Sequence, residues 1–360
     1  MKTMYKLLLI CLLVPVIGIA NPNPVKGKYE KTKTLNKTFN VNADALLKID
    51  NKYGNLDVIS WNENRVVIEV KITVNGDKED KVISQLEKID VEFEGSPSLV
   101  SAKTVIEKTS SGWFSSGKNG MNYQIDYKVK MPVSNHANFI NDYGTISLNE
   151  LKGKANINCD YGKILIGSLH HADNVINMDY TSNSVIEFMN SGKINADYSK
   201  LRIEKAKRVD LNADYTTSVF ENIENLTFNC DYGNIEAENA NHIQGNGDYL
   251  TMRFGTIYKN LKIEADYGGV RIDKLMKGFK SVVVNSDYTG IKIGLDDAAA
   301  FDFKVKLSYG GMSYDGEGIN YVKKEEKNFS KYYEGFVNKE NSSSKIEISS
   351  DYGSVKFYNN

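Results

Sequence analysis

Residues 156–166 read Asn156-Ile157-Asn158-Cys159-Asp160-Tyr161-Gly162-Lys163-Ile164-Leu165-Ile166, and versions of this stretch recur through most of the chain. The shared pattern is Asp-Tyr, then Gly, Thr or Ser, then an apolar-x-apolar pair. The tyrosines that mark it are Tyr143, Tyr161, Tyr180, Tyr198, Tyr215, Tyr232, Tyr249, Tyr267, Tyr288, Tyr309 and Tyr352, with Tyr53 in Asn51-Lys52-Tyr53-Gly54 an outlying copy. From Tyr143 the spacings are 18, 19, 18, 17, 17, 17, 18, 21 and 21 residues, then 43 across an insertion. A period of this length marks an architecture whose units bury their faces only against their neighbours.

The columns of the repeat carry its geometry. Four residues before each Tyr stands an apolar residue (Ile157, Ile176, Ile194, Leu211, Phe228, Ile263, Val284), and two before it a small one (Cys159, Ala196, Ala213, Cys230, Ala265, Ser286). Two-residue alternation therefore predicts that positions −4, −2 and 0, the Tyr itself, share one strand face. The positions between are polar, typically Asn at −3 and Asp at −1. After the Tyr the apolar positions shift to +3 and +5, as in Ile146/Leu148, Ile164/Ile166, Leu201/Ile203, Val270/Ile272 and Ile291/Ile293. Such a change of parity requires a corner, and Gly144, Gly162, Gly233 and Gly268 are placed to supply its unusual dihedrals. A third apolar column stands at +8: Leu151, Leu169, Phe188, Ile223, Ile257 and Leu275.

Each repeat thus predicts one coil with three inward patches, and stacking the coils about 4.8 Å apart closes a continuous core. The expected fold is an all-β, single-stranded β-solenoid with 17–21 residues per coil, spanning 133–360, with an insertion near 316–344. All five prolines (15, 22, 24, 97, 132) precede it; a proline inside the ladder would delete a hydrogen bond that the next coil needs. Residues 21–132 read as a β-rich cap over the open end, which would otherwise template aggregation. Within it, 77–89 reads as a helix with Val82, Ile83, Leu86 and Ile89 on one face.

The first twenty residues have the form of a cleaved secretory signal: Lys2 and Lys6, an apolar run from Leu7 to Ile19, and small residues at Gly18 and Ala20. Cys11 lies inside that run, without the small residues that precede a lipidated cysteine. The reading is an exported protein, periplasmic or at the cell surface, with no transmembrane segment after cleavage. The 360 residues carry 45 Lys+Arg against 46 Asp+Glu. That balance argues against a polyanion-binding protein, nucleic acid included.

The signal peptide, the early Lys52-Tyr53-Gly54 copy, the strand-helix-strand insertion and the Asp-Tyr-Gly-x-Ile-x-Ile coils together resemble the bacterial putative-adhesin family of β-solenoid envelope proteins. The likeness covers essentially the whole mature chain. It implies a secreted or periplasmic β-solenoid without established catalysis, and it carries over no catalytic motif.

The candidate chemistry is sparse. Asp142, Asp160, Asp179, Asp197, Asp214, Asp231, Asp248, Asp266, Asp287 and Asp351 form a column whose charges repel unless corner N–H groups or cations such as Ca²⁺ compensate; the turn role is preferred, and no metal site is assigned. Cys159 and Cys230 occupy equivalent positions four repeats apart. About 19 Å of stacked strand would separate them, beyond the roughly 7 Å that a disulfide tolerates, so they are expected as buried free thiols. His170-His171 read as a solvated corner. The candidate binding residues are Trp113 and Phe114, within Ser110-Ser111-Gly112-Trp113-Phe114-Ser115-Ser116-Gly117, where two aromatics have no evident core to fill.

The sequence therefore reads as a non-enzymatic putative adhesin or structural binding protein of the bacterial envelope, without a cofactor, whose partner is an unidentified glycan or envelope protein. The alternatives are an envelope-sensing or regulatory protein acting through a protein partner, and a carbohydrate-active enzyme on a β-helix scaffold.

Overall fold

Buried apolar residues at every second position make strands, and the computed structural model, which describes residues 27–107 and 121–359, is all-β with a single helix. From His136 onward the strands, apart from the hairpin at 319–337, pair in parallel with the equivalent strand of a neighbouring repeat. Lys200–Asp214 lies on Thr217–Asp231 with Leu201 opposite Ser218 and Asp214 opposite Asp231, a shift of one repeat. Every residue of the −4, −2, +3 and +5 columns named above is buried. The +8 column holds except at Phe188, which is only half-buried. Asn183, at φ 52°, adds a residue to that corner, and the inward place passes to Met189.

The N-terminal strands continue the same sheet. Tyr29–Asn40 pairs antiparallel with Arg65–Gly76, which pairs antiparallel with Asn122–Pro132. Leu46–Lys52 lies parallel between Leu99–Ile106 and His136–Asp142, and Leu56–Trp61 lies parallel to both Asn122–Pro132 and Thr145–Leu151. Tyr53 thus starts a rung, with Leu56 and Val58 at its +3 and +5 positions and fully buried. In the first two rungs the −2 place holds Asn51 and Asn141. Both are buried, and Asn51 Nδ2 donates to Asn141 Oδ1 at 2.9 Å and to the Ile125 carbonyl at 3.0 Å. Thr104 Oγ1 donates to Asn51 Oδ1, and the Tyr127 hydroxyl completes this polar chain. Buried amides satisfied in this way fix the register of the first rung on the second.

The helix, Glu79–Glu87, is shorter at both ends than the 77–89 expected from periodicity. Only Val82 is fully buried in it. Leu86 is partly buried, and Ile83 is exposed, because the helix rests one narrow stripe on the strands Tyr29–Asn40 and Arg65–Gly76.

At the other end the spatial order departs from the chain order. Ser281–Asp287 pairs with Lys345–Asp351, and the far side of Lys345–Asp351 pairs with Phe301–Ser308. Val355–Asn359 sits likewise between Gly290–Leu295 and Met312–Asp315. The last repeat in sequence is therefore the penultimate rung in space. The sequence columns placed it last, because spacing counts repeats without ordering them. Between these rungs the chain makes a hairpin, Ile319–Lys327 antiparallel to Ser330–Val337, and Ser330–Val337 pairs with Phe301–Ser308.

Candidate functional site

The tyrosines do not face the core. All twelve have φ between 50° and 64°, the left-handed region, and at the eleven from Tyr143 onward about half of the side chain is exposed. Left-handed backbone costs an L-residue roughly 1–2 kcal/mol, so a bulky side chain there needs a reason. One residue in this conformation reverses the inside-outside alternation, which is the parity change the sequence assigned to the following glycine. It also swings the ring outward onto its neighbours. The rings from Tyr143 to Tyr288 stack at 4.9–5.0 Å between centroids, within 8° of parallel. Aromatic contacts of this kind contribute about 0.5–1.5 kcal/mol each beyond area burial, enough to offset the backbone. The row runs on through Tyr352, Tyr309 and Phe329 at one end and Tyr53 at the other, where Tyr123 meets Tyr53 edge-on.

The corner glycines answer to space, not to dihedral freedom. A Cβ on Gly144 would lie 1.8 Å from the Gly54 carbonyl oxygen, and one on Gly162 would lie 2.0 Å from that of Gly144. Neither glycine has positive φ. Where the same place holds Ser or Thr, the hydroxyl serves the neighbouring rung: the Thr181 N–H donates to Ser199 Oγ at 3.0 Å, and the Ser199 N–H to Thr216 Oγ1 at 3.1 Å.

The aspartates before the tyrosines link neighbouring rungs instead of closing their own turn. Asp197 Oδ1 accepts the Asp214 N–H at 3.1 Å, Asp231 Oδ1 that of Asp248 at 2.9 Å, and Asp266 Oδ1 that of Asp287 at 2.9 Å. Burial, followed by repulsion from Asp179 and Asp142, pushes the Asp160 carboxyl above its ordinary range. On the same outward face of the strand, two residues earlier, Asn177 donates to Asn158 and Asn195 to Asn177, forming an amide ladder parallel to the rings. Among the described residues no group of three or more His, Cys, Asp or Glu is placed to hold a metal.

Cys159 and Cys230 are buried and free, four rungs apart along the −2 column, and burial pushes both thiols up to about 12. His170 Nε2 lies 3.0 Å from Glu150, and His171 Nδ1 accepts the Asp173 N–H at the same corner. Trp113 and Phe114 lie outside the described residues.

The ladder has a measurable signature. Desolvation first, and then the adjacent phenols, raise Tyr161, Tyr198, Tyr232, Tyr267 and Tyr352 above 10.0. The native state therefore holds these protons where the unfolded chain has released them, so stability falls as pH rises past 10.0 and is independent of these groups below it. Ultraviolet titration of the folded protein is expected to show tyrosinate forming at higher pH than in denaturant. Coincident curves would contradict the stacked arrangement.

No family model matches the chain, and no curated protein does. It is similar to several solved structures. One is a putative adhesin from Parabacteroides merdae, 9% identical, with 92% of this chain and 98% of that chain covered and a TM-score of 0.33. A putative lipid binding protein from Parabacteroides distasonis is 11% identical over 92% and 98% of the two chains, TM-score 0.31. A putative cell adhesion protein from Clostridium sporogenes is 12% identical over 92% and 100%, TM-score 0.19. Superposition scores of this size leave the reading of this chain to its own geometry.

Proposed function

We propose that this chain is an exported, non-enzymatic β-solenoid that serves as a binding or adhesive element of the bacterial envelope. In this reading each 17–21-residue repeat is one coil, residues 133–360 together with the Tyr53 rung form the rod, the rest of residues 21–132 caps it, and residues 1–20 are removed on export. The observation that carries it is the ladder of half-exposed tyrosines along one edge, each held in a costly conformation and presented outward at a constant interval. A periodic surface of that kind suits an extended partner on the flank of the rod. A cleft enzyme would instead gather its polar groups in a concavity. Trp113 and Phe114 are assigned as a second contact. The test is a binding screen of the mature chain against envelope glycans and envelope proteins, with Trp113→Ala/Phe114→Ala alongside. The wild type is expected to retain at least one ligand, and the double variant to bind it about tenfold more weakly. Equal binding by both forms removes the two aromatics from the contact, and no binding on either panel removes the function.

A further inference from the structure

Two residues beyond the ladder tyrosines, the last four rungs carry Gly269, Gly290, Ser354 and Gly311 in that spatial order. Earlier rungs hold Thr145, Lys163, Lys200, Thr217, Asn234 and Thr251 at this place. Gly269 and Gly290 open their strands and Gly311 immediately precedes one, and glycine in a sheet often marks a tight bend or a close approach by a ligand or another backbone. The fold itself does not require these glycines. A Cβ on Gly269 or Gly290 would meet nothing within 4 Å, one on Gly311 would meet only Lys331 Nζ at 3.6 Å, and none of the three has positive φ. Their neighbours at the corner, Gly268 and Gly310, would instead strike backbone oxygens at 2.3 and 1.8 Å.

The missing side chains leave an open groove of about 380 Å³ across the rungs of Gly290, Ser354 and Gly311, with Ile291, Val355 and Met312 among its lining residues. Its charged lining side chains are Lys292 and Lys356, both basic, and Lys331 reaches Gly311 from the adjoining hairpin. Lys356 Nζ also lies 3.6 Å from Asp315, which is itself well exposed.

We propose that this groove binds an anionic polysaccharide strand, of the uronic-acid class, laid along the axis of the stacked rungs. The inference rests on the binding role above and names its ligand class. The lysines call for negative charge. Gly290 and Gly311, with only the small Ser354 between them, admit a sugar ring close to the sheet. An extended peptide fits less well, because the strand N–H and C=O groups are already used between rungs, and a peptide on the flank would find no backbone partners. Its rise of about 3.3 Å per residue would also drift against rings spaced 4.6–4.9 Å apart. The near-zero net charge predicted no polyanion partner. It describes the long-range field, whereas three lysines around a three-rung groove act only at contact distance.

Calorimetry of the mature wild type would use three probes: an oligogalacturonate, a neutral cello-oligosaccharide of equal length, and polyglutamate. Only the oligogalacturonate is expected to bind, and more weakly as salt rises. Gly290→Val, whose branched side chain suits a strand and meets open space, should keep the wild-type thermal midpoint or exceed it and lose about tenfold in affinity or more. Lys292→Gln/Lys356→Gln should lose about tenfold and flatten the salt dependence. Equal binding of the neutral probe, tighter binding of polyglutamate, or unchanged affinity in a folded Gly290→Val would overturn the proposal. A wild type that ignores oligogalacturonate but holds another envelope ligand defeats this groove alone; one that binds nothing defeats the wider reading as well.

Discussion

Gly162→Val is expected to cost at least about 3 kcal/mol, the upper end of what overpacking a tight site costs, and to be seen as a large loss of denaturation midpoint or as insoluble protein. The Cβ would sit 2.0 Å from the Gly144 carbonyl oxygen and 2.9 Å from Cys159 Sγ, so two rungs must separate at the corner. That separation strains the ladder bond from the Lys163 N–H to the Gly144 carbonyl, 3.2 Å long. The control is Gly290→Val, the same exchange in the same kind of repeat. There a Cβ meets nothing within 4 Å, and the change should gain about 0.5–1 kcal/mol from reduced chain entropy and strand preference. If the two variants were equally destabilised, the corner glycines would not be in contact between rungs.

Tyr215→Val is expected to cost roughly 1–3 kcal/mol from its two lost stacks, with the added strain of a β-branched residue in a left-handed conformation. The ring stacks on Tyr198 and on Tyr232, both at 4.9 Å, and both contacts disappear. A β-branched residue must then take φ 53°, where it is least at ease. Tyr215→Gly loses the same contacts without the backbone penalty and should lie between valine and wild type. Tyr215→Phe keeps the stack and should match wild type closely. Urea denaturation of the three separates ring from backbone; a glycine variant less stable than the valine one would refute the left-handed assignment.

The sequence carried the inward columns because burial repeats every second residue. Ile157, Cys159, Ile164 and Ile166 could be placed from spacing alone, as could the free state of Cys159 and Cys230. The direction of the tyrosines could not. Alternation extrapolated from Ile157 and Cys159 puts Tyr161 inside, and a single left-handed residue reverses it. A left-handed tyrosine is rare enough that glycine was the natural choice for the corner. The position of residues 345–359 between earlier rungs was equally hidden, since Tyr309 and Tyr352 carry the same local signature whatever their order. The groove had a visible trace, the glycine doublets Gly268-Gly269 and Gly310-Gly311. Only the space around each glycine distinguishes the one the fold needs from the one it does not.

The central claim is that consecutive repeats lie on one another in parallel and in register, and an engineered cross-link tests it most directly. Arg202 and Val219 are opposite each other on adjacent rungs, and Glu236 follows Val219 one rung further on. Adjacent parallel strands lie about 4.8 Å apart, within the range that a disulfide spans, whereas two rungs exceed its limit of about 7 Å. Arg202→Cys/Val219→Cys should oxidise to an intramolecular disulfide in the folded monomer, and Arg202→Cys/Glu236→Cys should not, as read by mass spectrometry of protease digests. A bridge in the second variant with none in the first would contradict the stacking on which the whole account stands.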